Sequence, residues 1–313
     1  MQKAISIEGI AHDHAGENAL RGVSFSVPSG SLFGIIGADG AGKSTLFRIL
    51  ATLLKPQKGR AQVLQWNVEN EYHPIRATIG YMPQRFSLYQ DLTVWENLNF
   101  AADIMDIHKR EKFQILNELL AFSRLSPAKD RRTGRLSGGM KQKLALCCAM
   151  VRKPKILLLD EPTVGVDPVT RKDFWDMLAQ LRGQGTTTLV STPYMDEAEL
   201  CDEVLLLHQG RVVGQGTPQT LCQTLPGSLW NIHGSESLHV FAHTEPPFPL
   251  ISLYTMGGDL HALAPKGMEG PQILAEVQRV CPRAQHILEA TARVEDVLLF
   301  ALRNGGGKHE PHL

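Results

Sequence analysis

Leu32-Phe33-Gly34-Ile35-Ile36-Gly37-Ala38-Asp39-Gly40-Ala41-Gly42-Lys43-Ser44-Thr45 is the stretch on which the reading of this chain turns. An apolar strand, Leu32–Ile36, runs into a glycine-rich bend, and the bend into an amphipathic helix expected over Lys43–Leu54. The bend fits GxxxxGK[ST] in the strand–loop–helix setting that the pattern requires. Glycines let backbone N–H groups turn inward around a triphosphate, and the helix N-terminus adds its dipole. Lys43 is placed to reach the terminal phosphates and the Ser44 hydroxyl to ligate Mg2+. Gly37, Gly40, Ala41, Gly42, Lys43, Ser44 and Thr45 are therefore the expected ATP contacts. A glycine-rich turn of no chemical use has the same letters, so the rest of the chain must decide.

Two more segments bear on the choice. Ile156-Leu-Leu-Leu-Asp160-Glu161 is an apolar strand ending in adjacent carboxylates. Alternation sends them in different directions, which suits Asp160 as the metal partner and Glu161 as a general base. Alone, such a pair is often only a helix N-cap; beside a phosphate loop the chemical reading prevails. Leu136-Ser137-Gly138-Gly139-Met140 precedes an amphipathic helix and offers an anion a hydroxyl, backbone N–H groups and a positive dipole end. It lies 94 positions after Lys43 and 23 before Asp160. By itself it would be an ordinary N-cap.

Short β-rich runs alternate with helical stretches, the order of an α/β sheet covered by helices. Strands are expected at Ile5–Ile10, Val23–Val27, Leu32–Ile36, Thr78–Met82, Ile156–Leu159, Thr187–Ser191 and Val204–His208, with helices at Pro168–Leu181 and around Met195–Leu200. Two helical segments within Thr93–Ser123 and a third at Gly139–Arg152 break the alternation, marking an insertion over about residues 85–153. Near Pro226-Gly227-Ser228 the character changes. A main domain over 1–227 is expected, then a small accessory domain over 228–304 and a flexible tail over 305–313. The accessory part holds a β-like run, Leu238–Ala242, and helices at Gln272–Val280 and Val294–Leu302.

Lys and Arg number 32 and Asp and Glu 32 among 313 residues, and this zero balance argues against a nucleic-acid partner, which usually demands a basic surplus. The 43% hydrophobic and 20% charged content is that of a folded chain. The longest apolar run, Leu144–Val151, is far short of the ~20 residues of a membrane-spanning helix, and the first residues lack a secretory leader, so a cytoplasmic chain is expected. Cys147, Cys148, Cys201, Cys222 and Cys281 are odd in number and without CxxC spacing, which suggests reduced, mostly buried thiols. His12, His14, His309 and His312 have no Cys/His cluster to make a closed metal site with.

Taken together, these motifs resemble the nucleotide-binding subunits of ABC transporters over roughly residues 1–225. The resemblance implies an α/β P-loop NTPase fold with a mixed sheet, an inserted α-helical subdomain and a small C-terminal α/β accessory domain. Gly37–Thr45 is similar to Walker A, and Ile156–Glu161 to Walker B with its catalytic glutamate. Ser137, Gly138 and Gly139 resemble the signature, which in that family completes the ATP site of the opposite subunit in a head-to-tail dimer. Gln84, in Tyr81-Met-Pro-Gln-Arg, resembles the Q-loop glutamine that contacts Mg2+ and the attacking water, and Gly165-Val166-Asp167-Pro168 the D-loop at the dimer interface. Ser87–Asn99, Asp196-Glu197-Ala198-Glu199 and Val294-Glu-Asp-Val-Leu resemble multidrug and natural-product exporters whose ATPase is a separate chain. ATP, Mg2+, a membrane permease and a second ABC ATP-binding domain, identical or different, are the implied cofactors and partners. The implied location is peripheral, on the inner face of the cell membrane, with coupling near Arg85–Leu92.

The chain departs from that pattern at Ser191-Thr192-Pro193, where the family has Thr-His and the histidine donates to the γ-phosphate. Proline has neither a side-chain donor nor an N–H. Losing one preorganised donor costs about 2.7–4 kcal/mol in comparable oxyanion sites, so slow turnover at this chain's own loop is expected. Neutral drift and a deliberately asymmetric ATPase pair both explain the change; a nonhydrolytic or soluble regulatory ABC protein is the alternative. His14 is the best match to the family's adenine-stacking aromatic residue, and Asp39 stands where Asn is usual.

Overall fold

A computed structural model describes residues 2–14, 17–85, 88–233, 246–256 and 258–304. Strands β3 (Leu32–Ile36), β7 (Ile156–Asp160) and β8 (Thr187–Thr192) are buried at every position. Near-continuous burial is what a strand covered on both faces requires. With β6 (Ile79–Met82), β9 (Glu203–His208) and β10 (Arg211–Gly216) they form a six-stranded sheet of order β10-β9-β3-β8-β7-β6. β3 runs parallel to β8 and β9, and β7 parallel to β6 and β8. The residues that follow β3, β6, β7 and β8 therefore gather at one edge, where open α/β sheets bind ligands.

A second sheet, antiparallel, has the order β2-β1-β4-β5, from β1 (Lys3–His14), β2 (Glu17–Pro28), β4 (Lys58–Val63) and β5 (Trp66–Asn67). Its buried Ile5, Ile7, Val23 and Phe25 share one core with Phe47 and Leu50 of α1 (Lys43–Leu50) and with Leu158. Full burial of each such side chain stabilises by roughly 1.5–3 kcal/mol, so α1 is fixed against the sheets from which its loop springs. That helix stops short of the expected Leu54 because Thr52 takes a left-handed φ of 59° and the Leu53 N–H turns back to the Arg48 carbonyl. Thr78, expected to open a strand, instead ends an unanticipated helix, α2 (Tyr72–Thr78).

The inserted helices are α3 (Val94–Ile104), α4 (Lys109–Phe122) and α5 (Gly138–Met150). A capping box between Thr93 and Glu96 starts α3, and the Ser137 side chain caps α5. Val94, Leu98, Leu116, Leu120, Leu144 and Cys147 give this insertion its own core. Helix α6 (Pro168–Gly183) begins at an Asp167 N-cap, and Met195–Leu200 forms a 3₁₀ turn. Cys147, Cys148, Cys201 and Cys281 are free thiols, and all but Cys148 are buried. Among the described residues no helix is long and apolar enough to cross a membrane.

Contacts divide the chain into Met1–Gln215 and Gly216–Leu313, ahead of the composition change at Pro226-Gly227. The division falls early because α7 (Pro218–Gln223) packs on α9 (Val294–Asn304). Around them lies an antiparallel sheet of order β12-β13-β11-β14, from β11 (Ser228–His233), β12 (Ser252–Met256), β13 (Asp259–Ala264) and β14 (His286–Ala290). Ile232, Leu253, Leu260 and Ala262 pack with Ile273 and Val277 of α8 (Gly270–Val280). The expected run Leu238–Ala242 and the tail over 305–313 lie outside the described residues.

Candidate active site

The phosphate-loop pattern folds as strand, bend and helix, and the start of α1 differs from its neighbours. Gly42 holds a left-handed φ of 106°, provides no side-chain cap, and no acidic residue occupies the first turn. A Cβ at Gly42 would lie 2.3 Å from the Ala19 carbonyl oxygen, so glycine is required both for the turn and for the approach. Helices α3, α5 and α6 spend a Thr, Ser or Asp on these N–H groups. At α1 the first-turn donors are left for an anion from outside. Asp39 and Gly40 are exposed, whereas Gly37 and Ala41 are buried.

Lys43 folds back across this bend. Its ammonium donates to the Gly37 and Ala38 carbonyls at 2.7 and 3.0 Å and pairs with Glu161 Oε1 at 3.0 Å. Lys43 and Glu161 are only 3% and 5% exposed. Gln84, two residues beyond β6, donates to Glu161 Oε2 at 2.6 Å. Both oxygens of Glu161 are thus engaged, one by the loop cation and one by an amide carried on a different strand. A buried ion pair of this kind is poor evidence for stability, because desolvation offsets the attraction; its interest is that each member has partners it can exchange.

Asp160 sits beside Glu161 with its carboxyl shifted upward. Burial raises it most, while hydrogen bonds from Ser191 and Ser44 work the other way. Ser191 donates to Asp160 Oδ1 at 2.7 Å and accepts from the Glu161 N–H at 2.9 Å. Tyr81, on β6, is pushed up to about 12, first by burial and then by the charge of Asp160. Ser44 and Asp160 are a hydroxyl and a carboxylate side by side, an oxygen donor set that suits a hard divalent cation.

Ser137, Gly138 and Gly139 are not joined to this pocket by any hydrogen bond among the described residues. Ser137 and Gly138 are exposed, and the Ser137 oxygen accepts from the Met140 N–H of its own helix at 3.3 Å. Gly139 is buried, and a Cβ there would meet Thr170 Cγ2 at 2.0 Å, so only glycine lets α5 approach α6 at this point. Pro193 directly follows the pairing Ile36↔Thr192, level with Gly37, whose N–H donates to the Thr192 carbonyl at 3.3 Å. The side chain of His14 lies outside the described residues. Ser191 escaped sequence reading, because its strand is Thr-Thr-Leu-Val-Ser-Thr and its hydroxyl is one of four there.

The residues 20–164 match the family model described as ABC transporter. The probable multidrug ABC transporter ATP-binding protein YbhF of Escherichia coli is 47% identical over 209 residues, which cover 67% of this chain and 36% of that relative. This chain thus matches only about a third of that protein's length. The Nod factor export ATP-binding protein I of Mesorhizobium japonicum is 33% identical over 298 residues, 95% of this chain and 86% of that one. Among solved structures, the dimeric post-hydrolysis state of the ATP-binding cassette MJ0796 bound to ADP and Pi superposes with a TM-score of 0.62 at 25% identity, covering 68% of this chain and 98% of that one. The sheet order, the loop-to-helix turn and these likenesses agree on the α/β P-loop NTPase fold, and the chain belongs to the ATP-binding proteins of the ABC transporter family.

Proposed function

We propose that this chain binds and hydrolyses MgATP to power a separate membrane permease of an exporter, from the inner face of the cell membrane. The observation that carries the reading is the convergence of Lys43, Glu161 and Gln84, at 3.0 and 2.6 Å, beside the uncapped start of α1. The export direction is supported by the name of the Mesorhizobium relative, a Nod factor export ATP-binding protein.

In this reading the loop N–H groups and Lys43 take the phosphates, and Lys43 exchanges Glu161 for them. Ser44 and Asp160 would hold Mg2+, which when bound neutralises charge on the transferring phosphoryl group. Glu161, released from the ammonium, accepts the proton of the attacking water, and Gln84 keeps the carboxylate aimed. Ser137, Gly138 and Gly139 serve the opposite subunit's nucleotide in a head-to-tail dimer, in keeping with the exposure of Ser137 and Gly138. Between β6 and the inserted helices runs a groove of about 230 Å³ lined by Leu88, Tyr89, Phe100, Ile104 and Met105. Ile104 is 68% exposed there, and we assign this groove, continuous with the Arg85–Leu92 segment, to the permease.

Pro193 favours a refinement: a slow site at this chain's own loop, paired with a more complete second ATP-binding domain to which this chain lends its signature. Steady-state MgATP hydrolysis by the purified chain, beside Glu161→Gln and Pro193→His, tests both levels. A nearly inactive wild type with turnover restored about 10²-fold in Pro193→His supports the asymmetric pair. Ordinary wild-type turnover abolished by Glu161→Gln supports a self-sufficient ATPase and removes the asymmetry. No turnover in either wild type or Pro193→His supports the nonhydrolytic alternative.

A further inference from the structure

We propose that Ser191 is a positioning residue that sets both carboxylates of the site, a role that rests on the reading of Asp160 and Glu161 above. Asp160 and Ser191 are paired neighbours on the parallel strands β7 and β8. Neighbouring positions of parallel strands carry their side chains on the same face, so a hydroxyl 31 residues away in sequence lies against the carboxylate. Ser191 has no solvent exposure, so no water competes for its bonds.

The division of those bonds fixes the arrangement. A serine hydroxyl has one proton and two lone pairs. The proton goes to Asp160 Oδ1 at 2.7 Å, and a lone pair receives the Glu161 N–H at 2.9 Å. With Oδ1 engaged, Asp160 cannot rotate without breaking that bond, so its carboxylate is held in one orientation beside the Ser44 hydroxyl. Glu161 has a left-handed φ of 51°, a conformation that costs a residue with a Cβ free energy. Among the described residues its N–H is held there by Ser191 alone, through the hydroxyl and through the Ser191 carbonyl at 3.2 Å. The neighbouring Thr192 does not stand in, because successive strand residues face opposite sides of the sheet and its hydroxyl serves the Tyr194 N–H in its own turn. One side chain on the strand that leads to Pro193 thus orients the metal carboxylate and the backbone that aims the base.

The test is ATP binding by the full chain, titrated with Mg2+ and in EDTA, for wild type, Ser191→Ala, Ser191→Thr and Lys43→Ala. Loss of an outer partner of a metal ligand typically costs 10–100-fold in metal affinity. The Mg2+ concentration that half-supports ATP binding should therefore rise about tenfold or more in Ser191→Ala. ATP affinity in EDTA should stay within about twofold, and threonine should restore the Mg2+ midpoint. A residue that only packs the strand would not move the midpoint selectively. An unchanged midpoint in an alanine variant that binds ATP normally in EDTA overturns the role. If the alanine variant binds no ATP in EDTA, Ser191→Cys, near in size and a weaker donor, is read by the same criterion. Wild-type ATP binding that does not respond to Lys43→Ala sinks the ATPase reading itself, and Ser191 with it; a normal Lys43 response with an unmoved Ser191→Ala midpoint sinks Ser191 alone.

Discussion

In the first unit Lys43, Glu161, Gln84 and Asp160 meet at the ends of parallel strands, whereas in the second Tyr254, His261 and Asp296 meet where β12 and β13 are joined to α9. Both clusters bury carboxylates among hydrogen-bond donors, yet the two aspartates are shifted in opposite directions. Asp296 Oδ1 accepts from the Tyr254 hydroxyl at 2.7 Å and faces His261 Nδ1 at 3.0 Å, while Oδ2 accepts from the Arg293 N–H at 2.8 Å. Burial alone would raise its carboxyl, but the His261 and Tyr254 bonds outweigh it and hold the group below the usual carboxylate range. At Asp160 burial wins and the carboxyl is raised. Asp296 has its compensation from this chain and closes the start of α9, where the helix dipole adds to it. Asp160 is under-compensated by this chain, the condition in which a binding cation gains most.

The sharpest way to break this contrast is to neutralise each cluster and compare function with stability. Replacing the ion pair by a neutral one, Lys43→Met with Glu161→Gln, should lower MgATP turnover by about 10²–10⁴-fold. Thermal stability should be unchanged or higher, because a buried ion pair replaced by neutral groups of similar volume is often neutral or stabilising. Asp296→Ala should do the reverse. It leaves the Tyr254 hydroxyl, His261 and the Arg293 N–H without their buried acceptor, at a cost of about 2–3 kcal/mol in denaturant unfolding. ATP affinity should not move. An ion-pair variant that unfolds early, or an Asp296→Ala variant of normal stability, would erase the distinction.

Legibility in the sequence followed how local each interaction is. The loop at Gly37–Ser44, the carboxylates Asp160 and Glu161 and the Ser137 cap each lie within one short segment, and the spacing of glycine, lysine and acid is visible without knowing the fold. Gln84 was placed through the family resemblance, and the structure joins it to Glu161 across 77 positions. Ser191 depends on the register Asp160↔Ser191, which no local pattern encodes. The sheet of the second unit is largely illegible for a different reason. Ser228–His233 carries Asn231 and His233 to Asp259, while Ser252–Met256 and Asp259–Ala264 carry Tyr254 and His261 to Asp296, so the apolar alternation that marks a strand is interrupted. Helix α2 is seven residues long, too short to show a helical period.

The smallest expected effect concerns acid, and it tests the sign of the Asp296 shift. A carboxyl held lower in the folded state than in the unfolded chain contributes stability above its unfolded pKa, about 3.9, and loses that contribution as pH falls through the folded value. Asp296→Asn keeps one acceptor oxygen, for the Tyr254 hydroxyl, but sets an amide NH2 against the Arg293 N–H and has no charge to titrate. The deficit of this variant relative to wild type should therefore be largest near neutral pH and shrink progressively below about pH 4, where wild-type Asp296 becomes a neutral acid of the same shape. Hydrogen exchange over Asp259–Ala264, corrected for intrinsic rates at each pH, reads this locally, because β13 carries His261. A deficit as large at pH 3 as at neutrality would mean that Asp296 acts by shape and hydrogen bonding, not by charge. The contribution of Asp160 itself should run the opposite way, since its raised carboxyl favours the folded chain when protonated.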